Sequence, residues 1–300
     1  MPGKYLAIVN PAAGGGRSRK LLGPALERLH AAGLAVEVRE TSASGHAADL
    51  ARDAWREGYR KFISVGGDGT SYEIVNGLFP LADGTQPPTL GFLPLGTGNS
   101  FLRDFTDQGV EYAMRSLIGG RSRKCDVLRL RHKDGVLHYI NILSIGFSAD
   151  VATLRMRRFS SWGEVGYQAS IFICLTRFRR RPFPLSADGK SQIDRRPCLF
   201  LTFNNSKYTG GTMMIAPTAD TDDGLIEYVR WGPIGRIGLI RNLSGLYDGT
   251  HIQHPLAEVR KVRRIDFHLD APVDVMIDGE VLTLYCETLD VLPAALNVVV

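Results

Sequence analysis

The first 125 residues alternate short apolar runs with segments whose apolar positions recur every three or four residues. The runs have the length of buried strands, and they occur at 5–9, 34–38, 62–65 and 90–95. The periodic segments between them, such as the one that carries Leu22, Leu26 and Leu29, predict amphipathic helices. Strands that alternate with helices in this way form a parallel sheet with helices on both faces.

The pattern changes at about residue 126, where short apolar runs separated by turn residues replace the helical periodicity. The runs at 199–203 and 273–277 are examples, and Asn204-Asn205 and Asp278-Gly279 are two of the turn signals. This pattern is typical of an antiparallel sandwich or barrel.

We therefore predict two domains that pack around a cleft. An α/β domain occupies 1–125, and an antiparallel β-sandwich occupies 126–300, interrupted by a helical stretch near 160–177. The tail over 288–300 has the pattern of a strand that could return to the first domain.

Composition limits the class of protein further. The chain has 300 residues, of which 44% are hydrophobic and 22% charged, and its net charge of +5 is too mild by itself to imply a nucleic-acid partner. The four cysteines are scattered without a CxxC pair, which indicates reduced thiols. The apolar run at 5–9 is too short for the core of a signal peptide, and no run of 18 uncharged apolar residues occurs. We therefore expect a cytoplasmic protein.

Four loops follow the first strands, at 10–16, 41–45, 66–70 and 96–99. Ligands of such sheets bind at the carboxyl ends of the strands, so these loops should form one site. The richest in glycine are Gly66-Gly67-Asp68-Gly69-Thr70 and Gly96-Thr97-Gly98-Asn99. Glycines leave backbone N–H groups free to converge on an anion.

Asp68 makes simple anion capture an unsatisfactory interpretation of the first of these loops. A carboxylate there would repel phosphate unless a divalent cation lay between them, so Asp68 indicates magnesium–nucleotide chemistry. The alternative is two ordinary strand–helix turns. Neither the P-loop pattern GxxxxGK[ST] nor GxGxxG occurs, which argues against those two kinds of nucleotide site.

The loops belong to an ordered set of motifs that resembles the catalytic domain of diacylglycerol kinases, which sphingosine kinases, ceramide kinases and bacterial soluble lipid kinases share. The set spans nearly the whole chain: Asn10-Pro11 with Gly14, Thr41 with Gly45-His46-Ala47, 66–70 with Glu73 and Asn76, 95–99, Asn204, Gly210-Gly211, Pro217, 223–225 and 278–280. The GGDGT loop alone is less specific, since NAD kinases and phosphofructokinases have similar ones. The resemblance implies a first domain of the NAD kinase and phosphofructokinase type.

The resemblance also implies ATP as the cofactor. The candidate ATP-binding residues are Asn10, Pro11, Ala12, Ala13, Gly14, Thr41, Gly66, Gly67, Asp68, Gly69, Thr70, Ser71, Tyr72, Glu73, Gly96, Thr97, Gly98 and Asn99. Two of them have plainer alternatives: Asn99 could be a helix cap and Glu73 a charge on a helix surface.

Asp278-Gly279-Glu280 is the candidate catalytic motif, together with Asp68. Asp-Gly between alternating apolar runs is also a strong hairpin signal, so this motif could be a turn and nothing more. The resemblance implies that Glu280 is the general base and that Asp278 assists it. A carboxylate at the cleft could accept the proton of a lipid hydroxyl as that oxygen attacks the γ-phosphate of ATP.

The acidic loop at 220–225 is the candidate metal site. Carboxylates this close repel one another unless they are solvated or bind a metal, and a solvated turn is the plainer interpretation. The resemblance implies that Asp220, Asp223 and the carbonyl of Leu225 hold a structural magnesium ion, for which such oxygen ligands are suitable.

The segment 155–182 is the candidate membrane contact. It carries seven arginines and one glutamate, and aromatic and other apolar residues (Met156, Phe159, Trp162, Phe172, Phe178 and Phe183) lie among them. Basic and aromatic residues bind anionic bilayer surfaces. A solvated face, a contact between subunits of a homodimer and nucleic-acid binding are the alternatives, and of these we do not expect nucleic acid.

These observations predict an ATP- and magnesium-dependent lipid kinase that phosphorylates a diacylglycerol-like lipid at the inner membrane surface. A kinase of a soluble substrate such as NAD and a catalytically silent lipid- or nucleotide-binding relative are the alternatives. The acids at 68, 73, 278 and 280 argue against the silent relative. The sequence leaves open whether the lipid is diacylglycerol, phosphatidylglycerol, a sphingoid base, ceramide or an undecaprenol-like lipid.

Overall fold

A computed structural model describes residues 3–96, 99–159, 162–176 and 180–300. The strands are β1 (Tyr5–Val9), β2 (Val36–Glu40), β3 (Lys61–Val65), β4 (Thr89–Leu93), β5 (Ser122–His132), β6 (Gly135–Tyr139), β7 (Ile142–Gly146), β8 (Arg181–Pro182), β9 (Leu185–Ala187), β10 (Pro197–Cys198), β11 (Phe200–Asn204), β12 (Tyr208–Thr209), β13 (Met213–Met214), β14 (Ile226–Trp231), β15 (Ala257–Val262), β16 (Arg264–Phe267), β17 (Val273–Ile277), β18 (Glu280–Leu284) and β19 (Cys286–Val299). The α-helices are α1 (Arg17–Ala31), α2 (His46–Arg56), α3 (Asp68–Leu78), α4 (Gly109–Gly119), α5 (Phe147–Arg158), α6 (Gly163–Thr176), α7 (Arg236–Arg241) and α8 (Gly245–Asp248).

The first half is the predicted parallel α/β sheet, in the strand order β2-β1-β3-β4. Side chains of β1 alternate between its two faces. Leu6 and Ile8 pack with α2 and α3, whereas Ala7 and Val9 pack with α1 and α4. This alternation places two helices on each face, so the expected fold class is confirmed.

The second half contains the predicted antiparallel sandwich. One layer is the six-stranded sheet β15-β14-β11-β7-β17-β18, and the other comprises β5, β6, β9, β16 and part of β19. Side chains such as Tyr139, Leu201, Phe203 and Ile265 form a common buried cluster. The helical stretch expected near 160–177 corresponds to α6, while α5, α7 and α8 were not predicted.

The last strand joins the two halves. β19 pairs antiparallel with β5 and β16, and at Asn297 and Val298 it pairs in parallel with β4. One layer of the sandwich is therefore continuous with the parallel sheet. The connection between β6 and β7 passes from this layer to the six-stranded sheet.

Candidate active site

The four glycine-containing loops are tied together at the carboxyl ends of β1 to β4. The N–H of Thr41 donates to the carbonyl of Val9 at 2.8 Å, and that of Asn10 donates to Val65 at 2.9 Å. The N–H of Gly96 donates to Gly66 at 2.9 Å. Because strands of a parallel sheet end at one edge, these bonds bring the loops to the same end of a cleft.

Two glycines permit close contact of the backbones. A Cβ atom on Gly96 would lie 2.8 Å from the backbone nitrogen of Gly67, and one on Gly14 would lie 2.7 Å from the carbonyl oxygen of Leu95. Gly14 also has a φ of +62°, a conformation that favours glycine. These positions need glycine because the neighbouring loop is backbone and cannot move aside.

Helix α3 begins at Asp68, and the half-buried Asp68 carboxylate binds the chain just beyond the fourth loop. It accepts the N–H of Ser100 at 2.9 Å and that of Phe101 at 3.4 Å. Burial raises the pKa of Asp68, and the hydrogen bonds from Ser100 and Phe101 oppose that rise. Each oxygen accepts one backbone N–H, and the Ser100 side chain also bonds the carboxylate; a carboxylate has about four acceptor positions, so some capacity remains on this group, which lines the cleft.

Glu73, one turn further along α3, fixes the second loop. Its carboxylate accepts the N–H groups of Gly45 at 2.8 Å and Ala47 at 3.0 Å, where α2 begins. Free N–H groups and the helix dipole make this end of α2 favourable for an anion. Glu73 is therefore a capping carboxylate that joins α3 to α2, rather than a free charge on a helix surface.

Asp278 and Gly279 form the two-residue turn of the β17–β18 hairpin, in which Ile277 pairs with Glu280. Both turn residues have positive φ, 47° and 93°, as a type I′ turn requires. The Asp278 side chain is buried and accepts the N–H groups of Ile140, Asn141 and Ile142 at 2.8–3.2 Å. Burial raises the pKa of Asp278 to about 7 despite these bonds. The motif is thus a hairpin turn that also lines the cleft.

Glu280 lies against the first turn of α3. One of its carboxylate oxygens is 2.8 Å from the position of a Cβ atom on Gly69. Burial raises the pKa of Glu280, and the nearby Glu73 raises it further. Within the described part of the chain no residue hydrogen-bonds this carboxylate, so it is available to a ligand in the cleft.

The cleft is one continuous cavity of about 880 Å³. At one end it is lined by predicted residues: Asn10, Pro11, Ala12, Ala13, Gly14, Thr41, Gly67, Asp68, Gly69, Thr70, Glu73, Gly96, Asp278 and Glu280. At the other end the lining is largely apolar and comes from the second half: Phe147, Val151, Met156, Ile171, Phe200, Met213, Ile215, Leu239, Leu243, Leu246 and Met276, with Ser144, Ser148, Arg155, Thr202 and Thr209 as polar members. The apolar end was not predicted, although Leu239, Leu243 and Leu246 have helical spacing.

Four predicted ATP-binding residues do not line this cavity, and two lie outside the described residues. Tyr72 packs in the core of the sandwich, and the Ser71 hydroxyl donates to the carbonyl of Asp68. The Asn99 side chain donates to the carbonyl of Gly96 at 3.3 Å, and Gly66 lies behind the first turn of α3. Those outside the described residues are Thr97 and Gly98.

The acidic loop lies apart from the cleft lining. Asp223 forms an ion pair with Lys261 at 2.6 Å and accepts the N–H of Leu225 at 3.0 Å, while Asp220 accepts the N–H of Asp222. Within the described ranges, no three His, Cys, Asp or Glu side chains are grouped closely enough to hold a metal. The ion pair with Lys261 occupies part of the acceptor capacity of Asp223, so the magnesium site expected here stays a prediction.

The basic, aromatic segment is partly exposed. Trp162 and Phe172 are 58% and 68% exposed, and Arg157 and Arg158 are also exposed. Phe183, by contrast, is buried in the sandwich core, so its expected place on the surface is wrong. Arg177, Phe178 and Arg179 lie outside the described residues.

Two further observations concern the same region. Arg181 is paired with Asp150 at 2.7 Å, which neutralises part of the local charge. Helix α7 adds two exposed apolar residues, Ile237 and Ile240, and Arg236 of α7 donates to the carbonyl of Thr176 at the end of α6. Across the described residues, no helix has the length and apolar character to cross a membrane.

Comparison with known proteins is consistent with this geometry. The chain matches the diacylglycerol kinase catalytic domain over residues 4–130 and the YegS C-terminal NAD kinase beta sandwich-like domain over residues 141–300. A diacylglycerol kinase of Mycobacterium tuberculosis is 29% identical over 99% of this chain and 94% of its own. A protein of Chromohalobacter salexigens named "probable lipid kinase YegS-like" is 30% identical over 85% of this chain and 81% of its own.

A solved structure from Bacillus anthracis superimposes with a TM-score of 0.80 at 23% sequence identity, over 99% of this chain and 95% of that one. This likeness shows a shared fold. The second domain model covers more than half of the 300 residues, and the first covers most of the rest. The protein therefore belongs to the diacylglycerol kinase family of lipid kinases.

Proposed function

We propose that this protein transfers the γ-phosphoryl group of ATP to a hydroxyl of a diacylglycerol-like lipid at an anionic membrane surface. The observation that carries the proposal is the continuity of the cleft. Glycine loops line one end, apolar side chains line the other, and the unbonded carboxylate of Glu280 lies at the end with the loops. A lipid hydroxyl attached to an apolar chain fits this arrangement better than a dinucleotide does.

The loop end supplies the phosphate contacts. In the 10–14 and 66–70 loops the N–H groups of Asn10, Ala12, Ala13, Gly66 and Thr70 already bond within the protein. The N–H groups that favour an anion are therefore those of Gly14, Gly67, Asp68 and Gly69, together with the hydroxyl of Thr70 and the start of α3. Magnesium that accompanies ATP would neutralise part of the phosphate charge, and the Asp68 carboxylate is the residue suited to hold it. Without such a cation, Asp68 and the triphosphate would repel each other.

Glu280 is the proposed general base. As the lipid oxygen attacks the γ-phosphorus, the hydroxyl proton passes to the Glu280 carboxylate, the bond from that phosphorus to the β,γ-bridging oxygen breaks, and ADP leaves. The raised pKa of Glu280 makes it a better proton acceptor once it is ionised. Asp278 holds the turn on which Glu280 stands.

The second half is the proposed membrane contact. Exposed Trp162, Phe172, Ile237 and Ile240 lie on helices or next to a helix whose other residues line the apolar end of the cleft. Arginines accompany them in the sequence, and such a surface suits a bilayer with anionic lipids. Since ATP is the donor and no disulfide joins the cysteines of the described residues, we place the protein in the cytoplasm at the inner face of the membrane.

The test is transfer of labelled phosphate from ATP to a panel of lipids in mixed micelles, with NAD as a soluble competitor substrate. We expect a phosphorylated lipid with wild-type protein and a loss of about 10²–10⁴-fold in kcat with Glu280→Gln, because the general base is gone. The KM for ATP should hardly change. Phosphorylation of NAD and of no lipid would contradict the proposal, and so would full activity of Glu280→Gln.

A further inference from the structure

Asn76, on the third turn of α3, connects that helix to the second half of the molecule. Its side-chain oxygen accepts the N–H of His138 at 2.9 Å, and its amide nitrogen donates to the carbonyl of His138 at 2.8 Å. The same nitrogen donates to the carbonyl of Tyr72 at 2.9 Å. With three bonds to backbone groups, the orientation of this amide is fixed.

The contact lies on an open edge of β6. Among the described strands β6 pairs with β5 alone, so its other edge has no strand partner. Both polar backbone groups of His138 are satisfied there by Asn76, which thus takes the place of a neighbouring strand. Asn76 therefore fixes the position of β6 relative to α3.

The chain that follows His138 leads directly to the proposed base. The Asp278 carboxylate accepts hydrogen bonds from the N–H groups of Ile140, Asn141 and Ile142. The Asp278 turn carries Glu280, whose carboxylate returns to Gly69 at the start of α3. The contacts thus form a closed ring that begins and ends on one helix.

We propose that Asn76 is a positioning residue for Glu280, acting through the backbone of His138 and the connection that binds the Asp278 turn. This inference rests on the proposed function, in which Glu280 is the base. The imidazole of His138 takes no part in this closed path of contacts. Among the described residues neither of its nitrogens has a hydrogen-bond partner, and it packs against Phe79.

This difference provides a matched pair of variants. Asn76→Ala removes the contact with the His138 backbone, whereas His138→Ala removes a buried ring and keeps that contact. Since small misplacement of a reacting group costs up to about 10²-fold, we expect Asn76→Ala to lower kcat about 10- to 100-fold. The KM for ATP should stay within about twofold, because the loops that bind ATP are held by other residues. His138→Ala should lower the melting temperature and leave kcat near that of the wild type.

The second readout is a double-mutant cycle with Glu280→Gln. If Asn76 acts through Glu280, Asn76→Ala should cause no further loss of kcat once the base is absent. Where Asn76→Ala does not fold, Asn76→Asp makes the same comparison. It keeps the size and the acceptor for the His138 N–H, and it replaces the two donated bonds by repulsion between a carboxylate oxygen and the carbonyls of Tyr72 and His138.

The outcomes separate this inference from the proposed function. An unchanged kcat in the Asn76 variants, or losses that multiply in the double mutant, would overturn the positioning role and leave Glu280 as the base. An equal loss of kcat in His138→Ala would also overturn it, since general loosening would then explain both variants. Full activity in Glu280→Gln would overturn both proposals together.

Discussion

The Glu280 carboxylate occupies the space that a side chain on Gly69 would need: the oxygen lies 2.8 Å from the position of that Cβ atom. Gly69 has no positive φ and lies in the first turn of α3. Its lack of a side chain is therefore explained by the carboxylate, and not by backbone strain. The two residues are 211 positions apart in the sequence, yet each limits what the other can be.

Gly69→Ala should consequently separate activity from stability. The new methyl group must push the Glu280 carboxylate away, and we expect kcat to fall about tenfold or more, since the base is misplaced. Stability should be unchanged or slightly higher, because Glu280 can swing aside and alanine favours a helix by about 1 kcal/mol over glycine. Steady-state kinetics and thermal melting measure the two effects. A kcat equal to that of the wild type would show that catalysis does not require the Glu280 carboxylate beside Gly69.

Asp68→Asn should abolish most turnover and also lower stability. The amide keeps one acceptor oxygen, but its NH₂ group then faces one of the two N–H donors of Ser100 and Phe101. Losing such a bond costs about 1–3 kcal/mol of unfolding free energy. If the variant kept more than about a tenth of wild-type activity, the activation free energy would have risen by less than about 1.4 kcal/mol. That result would contradict a role of Asp68 in holding magnesium.

Asp104→Asn is the matched control for that variant. Asp104 is another half-buried carboxylate that accepts a backbone N–H, from Lys207 at 2.8 Å, and it does not line the cleft. Because the amide oxygen can still accept this single N–H, Asp104→Asn should lose less stability than Asp68→Asn and retain phosphoryl transfer, as measured by the same melting and kinetic assays.

His138→Leu should change the pH dependence of stability. Burial, and next the charge of Arg129, lower the pKa of His138 from its ordinary 6.5 to about 4. Between these values the unfolded chain binds a proton that the native protein does not, so this histidine destabilises the fold as pH falls from about 6.5 towards 4. Denaturant unfolding at pH 7.5 and pH 5 should show the variant gaining about 2 kcal/mol relative to the wild type at the lower pH. Parallel pH profiles would contradict a buried, neutral ring.

The elements and the loops could be predicted because their signals are local. The period of apolar residues placed the predicted helices and strands of the first half to within a few residues: the strand expected at 34–38 lies at Val36–Glu40, and the helix expected to begin at 70 begins at Asp68. Helix α4 (Gly109–Gly119) was not predicted. Asp278-Gly279 was a hairpin signal for the same local reason.

The contacts that assemble the site could not be predicted in this way. Asp278 reaches N–H groups 136 to 138 positions away, and Asn76 reaches His138 across 62 positions. No periodicity within a short window records such partners. For Phe183 a local signal led to a wrong prediction. The arginines beside it in the sequence suggested an exposed position, whereas Phe183 follows β8 and its side chain is buried in the sandwich core.

The acidic loop should respond to magnesium if Asp220, Asp223 and the Leu225 carbonyl hold the ion. An ion bound only by the folded protein stabilises it, by about 2.7 kcal/mol at a hundred times its dissociation constant. We therefore expect a higher melting temperature in MgCl₂ than in EDTA, and no such difference in Asp223→Ala. Lys261→Met should enlarge the difference, because the ammonium group that pairs with Asp223 is gone. Equal melting of all three proteins in both buffers would leave a plain acidic turn.

Membrane binding should depend on the exposed arginines more than on the paired one. Arg157 and Arg158 are exposed at the end of α5, whereas Arg181 forms an ion pair with Asp150. Each basic residue near an anionic surface contributes about 1 kcal/mol. Arg157→Gln with Arg158→Gln should therefore weaken binding to phosphatidylserine-containing vesicles about 30-fold at low salt. The double variant Arg181→Gln with Asp150→Asn should weaken it less, because the ion pair that it removes has no net charge.

Salt distinguishes this electrostatic contribution from the apolar one. The arginine effect should shrink as salt rises, since exposed charges are screened over a Debye length of about 8 Å at physiological ionic strength. Phe172→Ser and Ile237→Ser should weaken binding almost equally at both salt concentrations, because they remove apolar burial. Ile118→Ser, at an exposed apolar residue of the first half, should have no effect. Co-sedimentation at two salt concentrations measures all of these variants. Wild-type protein that stays in the supernatant at low salt would contradict membrane docking and favour a soluble substrate.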